Sequence, residues 1–192
     1  MFRATALNQI AGVTVMKMKV FVLAIAFVLV TGCATPSLVR KESFEPGTIL
    51  VLPPRDVVQD GVPHPVGAGS GKQLRQVLLS GVNQSSNFKA ISTRSKKFDH
   101  RSVADVDDAI QEAKNLNADY VLITILGEFL DGAAMNWRGD YVILQSSKLY
   151  SVPNGNIVWQ TTQPYRLAGS SLGHHYVYID KIGQFIVKSI TE

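Results

Sequence analysis

The chain has 192 residues, 46% of them hydrophobic and 18% charged, with a formal charge of +4 and a pI near 9.2. That length suits one domain with one core, and the apolar content excludes a disordered chain. The single cysteine excludes an intramolecular disulfide.

Residues 1–15 carry one charge, Arg3, and no apolar periodicity, so they read as an upstream extension before a start at Met16 or Met18. Met16-Lys17-Met18-Lys19 then supplies a short positive region, Val20 to Val30 an unbroken apolar run of eleven residues, and Thr31-Gly32-Cys33 a close of small residues. That order is a secretory signal, with cleavage between Gly32 and Cys33. A membrane-spanning helix needs about 20 apolar residues, so the run is too short to span. Of the 19 Lys and Arg, three (Arg3, Lys17, Lys19) lie in residues 1–32, together with none of the 15 acids; 16 cations then face 15 anions in residues 33–192. The basicity leaves with the leader. No basic stripe studded with aromatics remains, so a nucleic-acid partner is not expected.

The tetrad Val30-Thr31-Gly32-Cys33 resembles the lipobox of bacterial lipoproteins. The resemblance implies a covalent lipid on Cys33, no other cofactor, and the membrane as a partner through that anchor. Because Ala34 and not Asp follows the cysteine, it also implies an outer-membrane location facing the periplasm. More than one acyl chain anchors stably where one is marginal, at about 0.8 kcal/mol per buried CH₂.

Residues 33–46 continue as a lipidated N-terminus and tether. Its small, polar, charged and proline-bracketed sequence has too little apolar surface to order itself. The thirteen residues after Cys33 span at most about 45 Å fully extended. Residues 47–192 are expected to form one globular domain.

Within it, Thr48 to Leu52, stopped by Pro53-Pro54, reads as a buried strand. After a Gly/Pro-rich loop to Gly69, Ser70 with Gln73 forms a capping-box pair that opens a helix with the stripe Leu74, Val77, Leu78 and Val82. Phe88 to Ile91 is a second short strand. Ser102 with Asp105 marks a second helix start, with Val106, Ala109, Ile110, Ala113 and Leu116 on its apolar face. Tyr120 to Leu130, nearly all apolar, is a central strand covered on both faces. Asp131-Gly132 begins a turn, Asp140 to Tyr150 returns, and Pro153-Asn154-Gly155 is a hairpin with the Asn-Gly pair of a type I′ turn. Ile157-Val158-Trp159 opens the next strand. Beyond a loop at Gly169–Gly173, Ile179, Ile182, Ile186 and Ile190 fit a C-terminal helix. The order is β-α-β-α-β-β-β-α, an α/β (α+β) fold with a single mixed sheet and helices packed on it.

Ala118 to Thr124 followed by Pro153 to Trp159 resembles a recurrent envelope domain. It is found at the N-terminus of the Tol–Pal propeller protein, in the curli secretion-channel lipoprotein and in lipoprotein activators of peptidoglycan synthases. Val51-Leu52-Pro53-Pro54-Arg55 and the glycine loop are similar to a group of small proteobacterial lipoproteins of uncharacterised function. The resemblance implies a non-catalytic binding or envelope-assembly module with an envelope protein partner. Against a synthase activator stands the short tether; a secretion channel would need further membrane-spanning hairpins.

Val66 to Lys72 approaches a phosphate loop but has Val66 where the first glycine belongs and Gln73 where Ser or Thr belongs. Ser70, Gly71 and Lys72 remain as an anion site at a helix start, and an envelope hydrolase or small-ligand binder using them with His64 is the alternative reading. His64, His100, His174 and His175 lack metal-ligand spacing, so no metal site is expected. Asp108 and Glu112 share a helix face, which serves an acid/base pair or a solvated helix start. Ser170 and Ser171 near His174 and His175 lack a third member. No catalytic set is assigned, and the chain is read as a non-enzyme. Met135, Trp137 and Arg138, in the connection from Gly132 to Gly139, are residue types enriched at interfaces and are the candidate partner contact.

Overall fold

The apolar runs become strands wherever backbone pairing on one or both sides lets them bury. The computed structural model describes residues 37–59, 62–63, 68–130, 141–168 and 175–192. Its strands are β1 (Val39–Lys41), β2 (Thr48–Val51), β3 (Val58–Gln59), β4 (Val62–Pro63), β5 (Lys89–Ile91), β6 (Tyr120–Leu130), β7 (Tyr141–Ser151), β8 (Ile157–Thr161) and β9 (Tyr165–Ala168). The helices are α1 (Ser70–Gln84), α2 (Val106–Asn115) and α3 (His175–Thr191). The expected order therefore stands as β2-α1-β5-α2-β6-β7-β8-α3, in one mixed sheet.

Six strands lie side by side in the order β1-β8-β7-β6-β2-β5. β2 runs parallel to β5 and β6, and the other neighbours are antiparallel. β6 and β7 are long, and bulges between Ile125 and Leu126 and between Leu126 and Phe129 mark where they change company. Below the bulges they are flanked by β2 and β8. Beyond them β3 pairs with β6 at Glu128, and β9 pairs with β7 from Tyr141 to Leu144.

Alternation along β6 sends Tyr120, Leu122 and Leu126 to one face and Val121 and Ile123 to the other. On the first face, α1 supplies Leu74, Leu78 and Val82 and α3 supplies Ile179, Ile182, Ile186 and Ile190, all fully buried. They pack over a sheet that contributes Ile49, Leu149 and Trp159. On the second face, α2 lays Ala109 and Ala113 over Leu50, Val121, Ile123 and Tyr150. The central strand is covered on both sides, as its composition predicts.

Several boundaries differ from the sequence reading. The tether expected over residues 33–46 is ordered in part: Val39–Lys41 forms β1 against β8, and Phe44 packs on Phe88 and Tyr120 at ring-centroid distances of 5.8 and 5.4 Å. The capping box at Ser70 and Gln73 is absent. Gly69, at φ 83°, is the N-cap, and it has no side-chain cap bond. The α2 signal was placed three residues early, because Asp105 is itself the N-cap, accepting from the Asp107 and Asp108 amides. Leu116, expected on the apolar stripe, is the C-cap and is 37% exposed. The β7–β8 turn is not a two-residue type I′ turn. The pair Ser151–Asn156 closes a longer loop, and only Gly155, at φ 72°, is left-handed within it. The turn at Asp131-Gly132 and the Gly169–Gly173 loop lie outside the described residues.

Candidate functional site

The start of α1 was the expected anion site, and its amides are already engaged from within the chain. Asp56, two residues beyond Pro54, accepts from the Gly69 and Gly71 N–H groups at 3.2 and 2.8 Å. A carboxylate at a helix N-terminus satisfies orphan donors and complements the helix dipole, so this end of α1 carries its own anion. The Ser70 hydroxyl accepts from the Val57 amide at 2.8 Å. The Asp56 amide donates to the His100 carbonyl at 2.8 Å, and His100 Nδ1 donates to the Pro54 carbonyl at 2.7 Å.

Gly71 sits in the middle of this knot. A Cβ there would meet the Pro54 carbonyl oxygen at 2.1 Å, His100 Nδ1 at 2.8 Å and Asp56 Oδ1 at 3.0 Å. The glycine is thus explained by close approach of two backbones and not by a phosphate. Lys72, beside it, is exposed. His64, Ser170, Ser171 and His174 lie outside the described residues, and His175 opens α3.

The Asp108/Glu112 pair resolves into two separate contacts. Asp108 is 2.6 Å from Lys97 Nζ, an exposed pair. Glu112 accepts from the Thr93 hydroxyl, whose carbonyl in turn takes Arg75 Nη2 at 3.1 Å. Burial pushes the Arg75 guanidinium below its ordinary value. These contacts tie α2 and α1 to the segment after β5, and the two carboxylates do not converge on a shared point.

Two grooves occur among the described residues. One, of about 180 Å³, lies between the 97–99 turn and the start of α2, where Lys97, Asp99, Ser102, Asp105 and Asp108 face it. The other, of about 350 Å³, runs along the β1–β8 edge between Arg40, Glu42, Tyr150, Asn156 and Gln160. Neither lining groups a serine, threonine or cysteine with a histidine. Among the described residues no three His, Cys, Asp or Glu side chains are grouped to hold a metal ion, and no helix is long and apolar enough to cross a membrane. Gly32, Cys33, Met135, Trp137 and Arg138 are outside the described residues.

Asp56 was not singled out by sequence reasoning, and His100 was named only among the histidines without metal-ligand spacing. The only local signal was the glycine run at Gly69 and Gly71, which said that something approaches the helix start without saying what.

No family model and no curated protein matches the chain. Solved structures do match in fold. PelC from Paraburkholderia phytofirmans, crystallised as a dodecamer, is 15% identical over 75% of this chain and 91% of its own, with a TM-score of 0.51. TolB from Acinetobacter baumannii is 14% identical over 79% of this chain and 29% of its own, at 0.42. The LpoB C-terminal domain from Salmonella enterica is 17% identical over 67% of this chain and 86% of its own, at 0.40. The chain has the PelC fold. At these identities the likeness is one of fold.

Proposed function

We propose that this chain is a lipid-anchored, periplasm-facing lipoprotein of the outer membrane that serves as a non-catalytic binding or assembly module. The observation that carries the non-catalytic part is the closure of the α1 N-terminus by Asp56, which occupies the helix start that the sequence offered as an anion site. The anchoring part is supported by Val30-Thr31-Gly32-Cys33 behind an eleven-residue apolar run. In this reading Cys33 carries the lipid, and Met135, Trp137 and Arg138 in the β6–β7 connection meet an envelope partner. PelC's assembly into a dodecamer makes self-association one form that such a module takes.

The test is metabolic labelling with palmitate followed by membrane fractionation. Label on the wild-type chain that vanishes in Cys33→Ala, with loss of the protein from the outer-membrane fraction, is the expected result. Label that persists in Cys33→Ala overturns the anchor. For the contact loop, envelope crosslinking of Trp137→Ala is expected to lose adducts that the wild type forms, and an unchanged pattern removes that loop from the reading.

A further inference from the structure

β1, which pairs where a tether is expected, builds one wall of a groove. Its side chains alternate across the sheet. Lys41 turns to the first face, where Nζ reaches the Ile190 carbonyl at 3.0 Å. Arg40 and Glu42 turn to the second and stay exposed. One row across the sheet joins Arg40, Gln160, Lys148 and Ile123, and Ile123 belongs to the core under α2. Arg40, Glu42 and Gln160 therefore stand out of the sheet plane on the same face as α2.

β7 and β8 supply the floor through a bulge. Their register shifts between Leu149 and Tyr150, so Val158 and Trp159 both enter the first core while Tyr150 and Ile157 turn together to the second. Bulges re-aim side chains in this way and are over-represented beside active sites. The 151–156 loop is the far wall. Ser151 N–H donates to the Asn156 carbonyl at 2.8 Å, Gly155 N–H to the Ser151 carbonyl at 2.8 Å, and Asn156 N–H to Asn154 Oδ1 at 3.0 Å. The loop backbone is thus held from within, and the Asn156 side chain is left to the groove. The volume, about 350 Å³, falls in the range of about 300–1,000 Å³ usual for small-molecule sites.

Tyr150 is the group that points to a ligand. It lines the groove, is 8% exposed, and burial pushes its phenol pKa up. Among the described residues its hydroxyl has no hydrogen-bond partner, and neither do the side-chain amides of Asn156 and Gln160. A tyrosine hydroxyl this buried ordinarily finds a partner.

The lining also selects among ligands. Arg40 and Glu42 pair at 3.6 Å, so the groove carries both signs, and an ion of either sign would meet a like charge. Guanidinium, carboxylate and amide groups each present two hydrogen-bonding atoms side by side, an arrangement that fits neighbouring hydroxyls of a sugar ring. A peptide strand is matched less well, because these groups stand on the face of the sheet, where no main-chain ladder can be extended.

We infer that this groove binds an uncharged sugar chain. Tyr150 Oη, Asn156 and Gln160 make the hydrogen bonds that the fold leaves open, and the Arg40–Glu42 pair clasps adjacent hydroxyls. The site depends neither on Cys33 nor on the 132–139 connection, and it gives the binding module a ligand class.

The test is calorimetric titration of the full chain with chitotetraose and maltotetraose, and with tetraalanine as the peptide probe. Saturable binding of at least one saccharide at millimolar concentration or tighter is expected, with shifts of the Asn156 and Gln160 side-chain amide resonances. Tyr150→Phe keeps the ring in the core and removes only the hydroxyl, so it should weaken that binding about three- to tenfold and leave the protein folded. Gln160→Ala, at a half-buried position, should weaken it by a similar factor. Saccharide binding that neither substitution changes overturns the site. Binding of tetraalanine and of neither sugar overturns the ligand class, and binding of no probe overturns the inference as a whole. Loss of the palmitate label in Cys33→Ala, or its persistence, bears on the anchor alone.

Discussion

The side-chain amide of Asn83 makes both backbone hydrogen bonds of Ala90. The Ala90 N–H donates to Asn83 Oδ1 at 2.9 Å, and Asn83 Nδ2 donates to the Ala90 carbonyl at 3.2 Å. β5 is a sheet edge three residues long, with Lys89, Ala90 and Ile91 registered against Thr48, Ile49 and Leu50. Ala90 is the residue whose backbone groups face outward, and Asn83 takes the place of a further strand there. An open edge is a template for pairing with another chain, so this contact closes one end of the sheet against association.

Asn83→Ala removes both partners at once from a residue that is 7% exposed. Leaving a buried donor unsatisfied costs about 1–3 kcal/mol. The expected outcome is a lower urea midpoint and concentration-dependent self-association in sedimentation velocity. Asn83→Asp keeps an acceptor for the Ala90 amide and loses the donor, so its deficit should be smaller. A monodisperse Asn83→Ala protein of unchanged midpoint would sink this account.

Gly71 and Asp56 support a second prediction. A methyl group at position 71 has no room beside the Pro54 carbonyl, so Gly71→Ala must move either α1 or the Pro53–Asp56 segment. Overpacking of this kind costs about 1–3 kcal/mol. Asp56→Asn preserves the shape but weakens two charge-assisted bonds, which are roughly twice as strong as neutral ones. Both variants should unfold at lower denaturant, Gly71→Ala the more so. Amide exchange at Gly71 should speed up in Asp56→Asn.

The parallel packing of α1 on α3 gives a third. Gly81 faces Val187 and Gly183 faces Val77, where added Cβ atoms would stand 2.8 and 2.4 Å from valine methyls. Each helix thus offers a glycine to the other's branched residue, four positions apart, which brings the axes close. Alanine is about 1 kcal/mol better than glycine in a helix interior, so Gly183→Ala would stabilise a helix that packed on nothing. Here overpacking of about 1–3 kcal/mol opposes that gain. Net destabilisation is expected by thermal unfolding, and Val77→Ala in the same chain should restore part of it.

The parts of this fold legible in the sequence are those where burial dictates residue type. β6 announces itself because both its faces are covered, and α3 because an isoleucine falls on the core at 179, 182, 186 and 190. β1 was not legible. Val39-Arg40-Lys41 has one apolar residue, and the strand exists because the β8 backbone is free to pair, with Lys41 Nζ reaching the Ile190 carbonyl at the end of α3. The candidate site shows the same division. Ser70 and Gln73 have the spacing of a capping box, yet Asp56 already satisfies the amides from thirteen and fifteen residues away, and the Ser70 hydroxyl is taken by Val57. A local motif cannot report a partner that only the folded loop brings in.

Tyr120 gives the pH dependence. Its hydroxyl donates to the Glu45 carbonyl at 2.9 Å, and its ring stands edge-on to Phe44 at 5.4 Å. Burial, then the nearby charges of Asp119 and Glu45, raise its pKa above the ordinary phenol value of 10.0. A phenol whose folded pKa is raised favours the neutral form in the native state. The stability it contributes is fully present below pH 10 and is lost as pH rises from the unfolded value through the folded one, because only the unfolded chain releases the proton. Tyr150 is raised in the same direction by burial and adds to the same alkaline window. Urea unfolding should therefore give a flat midpoint across pH 7–9 and a falling one above about pH 10. Tyr120→Phe should start from a lower midpoint, having lost the bond to Glu45, and fall less steeply. An alkaline slope identical to wild type would place the titration elsewhere.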